Sequence, residues 1–389
     1  MGRAHRPHPG LRLPPATRLA MAVTKAPSEP WPMVRATLRA MLEQRIDHPY
    51  DVWLADEDPG PDVLAWCGEH GVGVCTRRDA GHDYHRDTWP RRRCKEGNLA
   101  YFSDTVGYER YDVVAQLDAD HVPEPDYLRH ITAPFAKRDV GYVAAPSICD
   151  LNAPRSWAAR GRLHDEAMLH GVMHAGANRG WAPSCIGSHY AVRTVAIRGI
   201  GGLGPDLAED FSTTLLLSAA GWDGAFAIDA IAHGRGPHTV ADCLTQELQW
   251  SRSMTTLLLT IGPGAWRRLT PRRRARLGFC LLWYPLVSTV LLVAHLTPLW
   301  ALVAGGPLAR ADLGGYVLHL ALVEAALLGV LLVVRSAGAL RPVDAPVIFV
   351  GDGALPPRPL AVEPRRGAHR ALGRRHPEDG RVEGHAEGD

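Results

Sequence analysis

Cysteine pairs, a secretory leader, one-signed charge and internal repeats are all missing from this sequence. Its seven cysteines (Cys67, Cys75, Cys94, Cys149, Cys185, Cys243 and Cys280) are odd in number and scattered. That excludes a disulfide framework or a zinc ribbon and points to reduced thiols facing cytosol. The 43 basic residues stand against 41 acidic ones, a formal charge of +2, which gives no ground for nucleic-acid binding. Residues 1–18 form a basic, Pro-rich segment with no apolar core, so no signal peptide is read there.

Long apolar runs are present, but late. Phe279–Val303 carries no formal charge over 25 residues, and Leu313–Val334 carries only Glu324 over 22. Both exceed the roughly 20 residues needed to cross a bilayer. Arg272, Arg273, Arg274 and Arg276 precede the first run, and Arg335 and Arg341 follow the second. The positive-inside rule then puts both flanks, and the large N-terminal domain, in the cytoplasm. The expected organisation is a folded domain over 19–260, a basic interfacial linker over 261–278, membrane helices over 279–303 and 313–334, and a polar, disordered tail over 350–389.

Within 19–260, short apolar runs alternate with helical spacing. Strands are expected at Arg18–Thr24, Tyr50–Ala55, Val72–Thr76, Val113–Leu117, Val140–Ala145, a run ending at Val192, and Ala225–Ile228. Helices are expected at Trp31–Gln44, Pro61–His70, from Lys95 to about Val106, Pro123–Ala136, Ser156–His174, Leu207–Ala220 and Thr239–Thr260. That alternation indicates an α/β fold with a mostly parallel sheet covered on both faces.

The strand Val113–Leu117 runs into Asp118-Ala119-Asp120-His121. Ligands of open α/β sheets sit beyond the carboxyl ends of the strands. Two carboxylates there can hold a hard divalent cation that also takes phosphate oxygens, or can be two solvated loop acids. His121 is a further ligand or a polar loop residue. Gly199-Ile200-Gly201-Gly202-Leu203-Gly204 fits the spacing of a dinucleotide fingerprint but leads into Pro205 and an acidic helix, so NAD binding is rejected. His170 and His174, four apart, read as a satisfied polar pair.

The ordered set Asp56, Lys95-x-Gly97-Asn98, Asp118-x-Asp120, Gly187-Ser188, Glu209-Asp210 and Gln246-x-x-x-Trp250, then membrane helices, resembles the processive membrane glycosyltransferases of family 2. These are the cellulose, chitin and hyaluronan synthases and their relatives, and the likeness runs from about Leu19 to Val334. It implies a GT-A fold, a nucleotide-sugar donor (UDP-sugar expected), Mg²⁺ or Mn²⁺, and inversion at the anomeric carbon. It further implies that Asp120 is the direct metal ligand, with Asp118 on metal or donor ribose. Asp56 would bind the nucleobase and Lys95 the diphosphate, while Asn98 supports that pocket or caps its helix. Asp210 would be the general base, oriented by Glu209. Gln246 and Trp250 would hold the acceptor, the indole as a stacking floor.

Two departures matter. Ala208 replaces the family's threonine before Glu209-Asp210, and Gln249 stands where the family has arginine. The second puts processivity in question more than transfer. Arg252, three residues on along the same helix, is a candidate to reach the site in its place. Relatives of this group also carry membrane helices ahead of the catalytic domain. With the abrupt change near Gly351, that suggests a truncated start and a shifted reading frame, which sequencing the coding DNA would test. The implied activity is sugar transfer to a growing polysaccharide at the cytoplasmic face of a membrane. The implied partners are a glycan or lipid-linked acceptor, membrane lipid and accessory secretion subunits. The alternatives are single-sugar transfer to a lipid and a degenerate, non-catalytic synthase-like membrane protein.

Overall fold

The computed structural model describes residues 10–89, 94–205, 208–306 and 312–345. Part of the N-terminal segment, the tail over 350–389 and Leu207 lie outside the described residues.

Two strand–helix steps and a third strand open the domain: β1 (Leu19–Lys25), α1 (Trp31–Leu42), β2 (Tyr50–Asp56), α2 (Pro61–Glu69) and β3 (Gly73–Thr76). α3 (Lys95–Phe102) continues through a π-helical turn into α4 (Tyr108–Arg110) and then β4 (Val113–Leu117). β1 and β4 are buried along their whole length, as apolar runs in a covered parallel sheet must be. After β4 come β5 (Val122–Pro123), α5 (Tyr127–Thr132), β6 (Val140–Ala144), β7 (Ser147–Ile148) and α6 (Trp157–Asp165). β8 (His189–Arg193), α7 (Thr194–Gly199), α8 (Glu209–Ala219), β9 (Asp223–Phe226) and β10 (Ala232–His233) complete the sheets.

The main sheet has seven strands in the order β3-β2-β1-β4-β8-β6-β9, all parallel to their neighbours except β8. β5, β10 and β7 form a small second sheet. The single reversal at β8 positions the site. Because β8 runs against β4, its first residue His189 pairs with Leu117, the last of β4. The segment leading into β8 therefore meets the exit of β4, where the Asp118 amide donates to the Ser188 carbonyl at 2.8 Å. On the other side, β1 and β2 end in register, Lys25 opposite Asp56.

Four stretches differ from the sequence reading. Residues 123–136 are not one helix, because Pro123, Pro125 and Pro134 lack amide donors. The chain instead makes β5, the short α5 and a 3₁₀ turn at Ala133–Ala136. Residues 156–174 also break. α6, capped by Ser156 accepting from the Ala159 amide, ends at Asp165, and a π-helical turn follows at Leu169–Met173. Gly171 there has non-helical φ −104° and ψ −111°. The Ala339–Leu340 backbone passes so close that a Cβ on residue 171 would lie 2.0 Å from the Ala339 carbonyl oxygen. The strand expected at Ala225–Ile228 sits two residues earlier, as β9.

The fourth is the basic stretch 261–278, which is helical and packed. α9 (Val240–Leu259) is capped by a Thr239–Asp242 capping box and is followed by α10 (Gly262–Trp266). α11 (Pro271–Ala304) then runs unbroken from the arginines into the first apolar run. Leu257, Ala265, Leu269, Leu277 and Leu281 cluster with Phe211 and Leu215 of α8. Arg273 is buried, donates to the Ser218 carbonyl at 2.9 Å and pairs with Asp223. α11 and α12 (Leu313–Ser336), of 34 and 24 residues, are long and apolar enough to cross a membrane, and most of their apolar side chains are exposed.

Arg273 thus fastens α11 to the catalytic sheet. Arg273→Ala is expected to lower unfolding stability by about 2 kcal/mol, since it removes charged hydrogen bonds from a buried position. Urea unfolding of the detergent-solubilised protein measures the loss. Arg272→Ala, at an exposed neighbour, serves as the control with little change.

Candidate active site

Lys95, the first residue of α3, is the centre of the site. Its Nζ lies 2.6 Å from Asp118 Oδ1 and 3.2 Å from Glu209 Oε1, and it donates to the Gly187 carbonyl. Burial works against a charge on Lys95, but the Asp118, Glu209 and Asp210 carboxylates outweigh it and raise its pKa. The acids show the opposite balance. Burial pushes Glu209 up to about 8, with Lys95 opposing, and pushes Asp118 and Asp210 upward too. Asp210 Oδ1 accepts from the Phe211 amide at 2.7 Å. Gly187 packs closely on the base of the site: a Cβ there would stand 3.3 Å from Asp210 Oδ2.

Asp120 lies one step further out. Its Oδ1 is 2.8 Å from His121 Nδ1, and its Oδ2 accepts from the Arg235 amide at 3.4 Å. Burial alone would raise this carboxyl. The bond and charge of His121, with the Arg235 amide, hold it below its usual value instead. Burial opposes a charge on His121, and the bonds to Asp120 and Cys149 raise it to about 10. The ring is sealed by Gly234, where a Cβ would lie 2.2 Å from His121 Nε2. Ligand atoms of Asp118, Asp120 and His121 lie within 4.8 Å of one another. The two carboxylates suit Mg²⁺ or Mn²⁺, and His121 would join them as a ligand only on giving up its ring proton.

The residues expected on the donor side are close by but differently engaged. Asp56 is fully buried; it faces Lys25 Nζ at 3.1 Å and accepts from the Asp58 amide at 3.1 Å. Asn98 is not a helix cap. It donates to the Lys25 carbonyl at 2.9 Å and accepts from Arg77 Nε at 2.6 Å. Arg77, fully buried after β3, also donates to the Tyr84 carbonyl at 2.7 Å and pairs with Glu57 at 2.8 Å. The structure therefore joins Lys95 to Asp118 and Glu209, and Asp56 to Lys25, in two adjacent groups.

Gln246 and Trp250 lie apart, on α9. Among the described residues, neither makes a hydrogen bond to the acidic group. Trp250 is 40% exposed, with the Arg162 guanidinium 4.9 Å from its ring centroid. Gln249 and Arg252 are exposed. The glycines at 199–204 follow a helix, α7, rather than a strand, and Gly201 and Gly202 turn the chain with φ of +88° and +108°. That is a turn into α8 and not a nucleotide loop.

Sequence reading missed Lys25, Arg77 and Glu29. The ends of β1 and β3 were a usable signal for the first two, since the ends of β2 and β4 were read for acids. Glu29 is raised to about 7, by burial first and then by the charges of Asp118 and Asp120, against the Ala26 amide that holds it.

Residues 113–318 match the sequence model of Glycosyl transferase family group 2, more than half of the chain. Cellulose synthase 2 of Novacetimonas hansenii is 26% identical over 247 residues, 59% of this chain and 14% of that protein. The UDP-forming cellulose synthase catalytic protein of Dictyostelium discoideum is 22% identical over 224 residues, 54% of this chain and 20% of that protein. The chain spans only a minor part of the length of either relative. A mannosyltransferase of Pyrobaculum calidifontis, solved with GDP-Man and Mn²⁺, superposes with a TM-score of 0.53 at 15% identity. That match covers 82% of this chain and 83% of the other, and it shows a shared fold.

Glu209 supplies a pH test. Its folded pKa lies above the ordinary carboxylate range, so the folded state holds the proton more tightly than the unfolded chain. Stability is lost as pH rises from that range to about 8 and levels off above. Glu209→Gln removes this contribution, so the variant gains on wild type as pH rises and the gap stops widening above about 8. Thermal unfolding across pH 4–9 checks it.

Proposed function

The chain belongs to Glycosyl transferase family group 2, and we propose that it moves a sugar, with inversion, from a UDP-sugar to a growing polysaccharide at the cytoplasmic face of a membrane. The observation that carries this reading is the convergence of Lys95, Asp118, Glu209 and Asp210 beside Asp120 at the exit of one strand. The fold common to this chain and a mannosyltransferase solved with Mn²⁺ supports a metal-assisted donor site. The UDP-forming relative supports UDP as the nucleotide. The lengths and apolarity of α11 and α12 support insertion in a bilayer.

Transfer requires charge neutralisation on the leaving diphosphate, removal of the acceptor proton, and alignment of both sugars. Asp120 and Asp118 would hold Mg²⁺ or Mn²⁺, which when bound neutralises diphosphate oxygens as a Lewis acid. Lys95 turns its ammonium from the acids toward a phosphate and adds a point charge there. Asp56, fully buried against Lys25, would accept from the uracil N–H once that ion pair opens.

Asp210 takes the proton from the acceptor hydroxyl as the hydroxyl oxygen bonds to the anomeric carbon. The bond from that carbon to the diphosphate breaks on the opposite face, and the electron pair leaves with the diphosphate. Burial of Asp210 raises its basicity toward working pH. Glu209 fixes Lys95 and thereby the charge balance around the base. Trp250 offers its ring to the apolar face of the acceptor sugar, with Gln246 one turn before it. Gln249, exposed where the family has arginine, favours as a second reading a single transfer to a lipid-linked acceptor. Product length separates the two.

Asp210→Asn is expected to lower the transfer rate about 10²–10⁴-fold, the usual worth of a positioned base. Donor binding, followed by UDP titration, should stay within a few-fold of wild type. Turnover retained in this variant removes Asp210 from the role.

A further inference from the structure

The Trp250 ring is covered by a residue of another element. Arg162, on α6, is 13% exposed at its side chain and donates from Nη1 to Glu166 Oε1 at 3.0 Å and to Glu247 Oε1 at 2.8 Å. Its guanidinium lies over the Trp250 ring at 4.9 Å. Glu247 and Trp250 are three residues apart on α9, so they share one helix face, and Arg162 meets both. The other oxygen of Glu247 accepts from the Tyr284 hydroxyl of α11 at 2.9 Å. A cation over one face of an indole is attracted to the ring and favours that placement of it.

The same arginine ends a path from the metal-ligand loop. His121, bonded to Asp120, lies with Nε2 3.2 Å from Ser147 Oγ. The Ser147 amide donates to His170 Nδ1 at 3.4 Å, and His170 Nε2 lies 3.2 Å from Glu166 Oε2. A His170 that accepts at Nδ1 must carry its proton on Nε2, which is the nitrogen facing Glu166. Every link has its donor and acceptor in place, and the path crosses from the loop after β4 to α9 and α11.

We infer that Arg162 is a positioning residue that holds the Trp250 ring against the acceptor sugar and fixes that platform relative to the Asp120 loop. This rests on the reading of Trp250 as the acceptor floor. Lysine at 162 restores the cation over the ring but not the simultaneous hold on Glu166 and Glu247.

The test uses the full chain in detergent, with UDP-sugar, Mn²⁺ and a soluble oligosaccharide acceptor. Two rates are read: transfer as a function of acceptor, and hydrolysis of donor by water without acceptor. Arg162→Ala is expected to raise the acceptor KM about tenfold and leave donor hydrolysis and donor KM unchanged. Arg162→Lys should recover part of the loss. Trp250→Ala should match Arg162→Ala, and the double variant should be no worse than either single one, because the two act as a unit. An unchanged acceptor KM in Arg162→Ala overturns the inference, as does a fall in donor hydrolysis as large as the fall in transfer. If Trp250→Ala raises the acceptor KM and Arg162→Ala does not, the inference fails and the proposed function stands. If Trp250→Ala has no effect either, the acceptor reading falls with it.

Discussion

The ammonium of Lys95 is the charge on which the site depends. Asp118 and Glu209 make ion pairs with it, and Asp210 lies within its field. Three carboxylates packed together out of water would repel one another and protonate. One buried cation among them keeps the group foldable. Under the proposed function, a diphosphate with its divalent cation would bring phosphate to Lys95 and new positive charge to the acids.

Topology explains why those charges meet. Lys95 begins α3, Asp118 ends β4 and Glu209 heads α8, so more than a hundred residues separate the first from the last. The antiparallel β8 brings the Gly187–Ser188 turn to the β4 exit, and that turn supplies the carbonyl that Lys95 also binds. A side chain at 187 would press on Asp210. The register of one strand thus brings Lys95 and Asp210 to the same turn.

Leu19–Lys25 and Val113–Leu117 were legible because a strand buried on both faces needs a continuous apolar run, while Tyr50–Asp56 and Gly73–Thr76 were legible from shorter apolar runs bounded by turn residues. Acids at strand exits were legible for the same reason, since a polar residue ending such a run has to face a loop or a ligand. Their partners were not. Nothing local to Lys25, Arg77 or Arg162 says which carboxylate each meets, because those contacts are made by register and helix packing. The break at Gly171 is set by Ala339, far along the chain, and the arginines over 272–276 read as a charge block until one of them, Arg273, turned inward to Asp223. Helical spacing over 156–174 and 123–136 was real, but backbone contacts and prolines decided otherwise.

The most direct measurement is of Mn²⁺ binding in the presence of UDP, followed by the electron paramagnetic resonance of free Mn²⁺. The account predicts that UDP and Mn²⁺ bind together, each strengthening the other, and that EDTA releases UDP. Asp120→Asn should weaken Mn²⁺ binding by more than about tenfold, the loss seen even for residues that only support a ligand. UDP bound as tightly in EDTA as in Mn²⁺, and unchanged by Asp120→Asn, would contradict a metal-assisted donor site at the exit of β4.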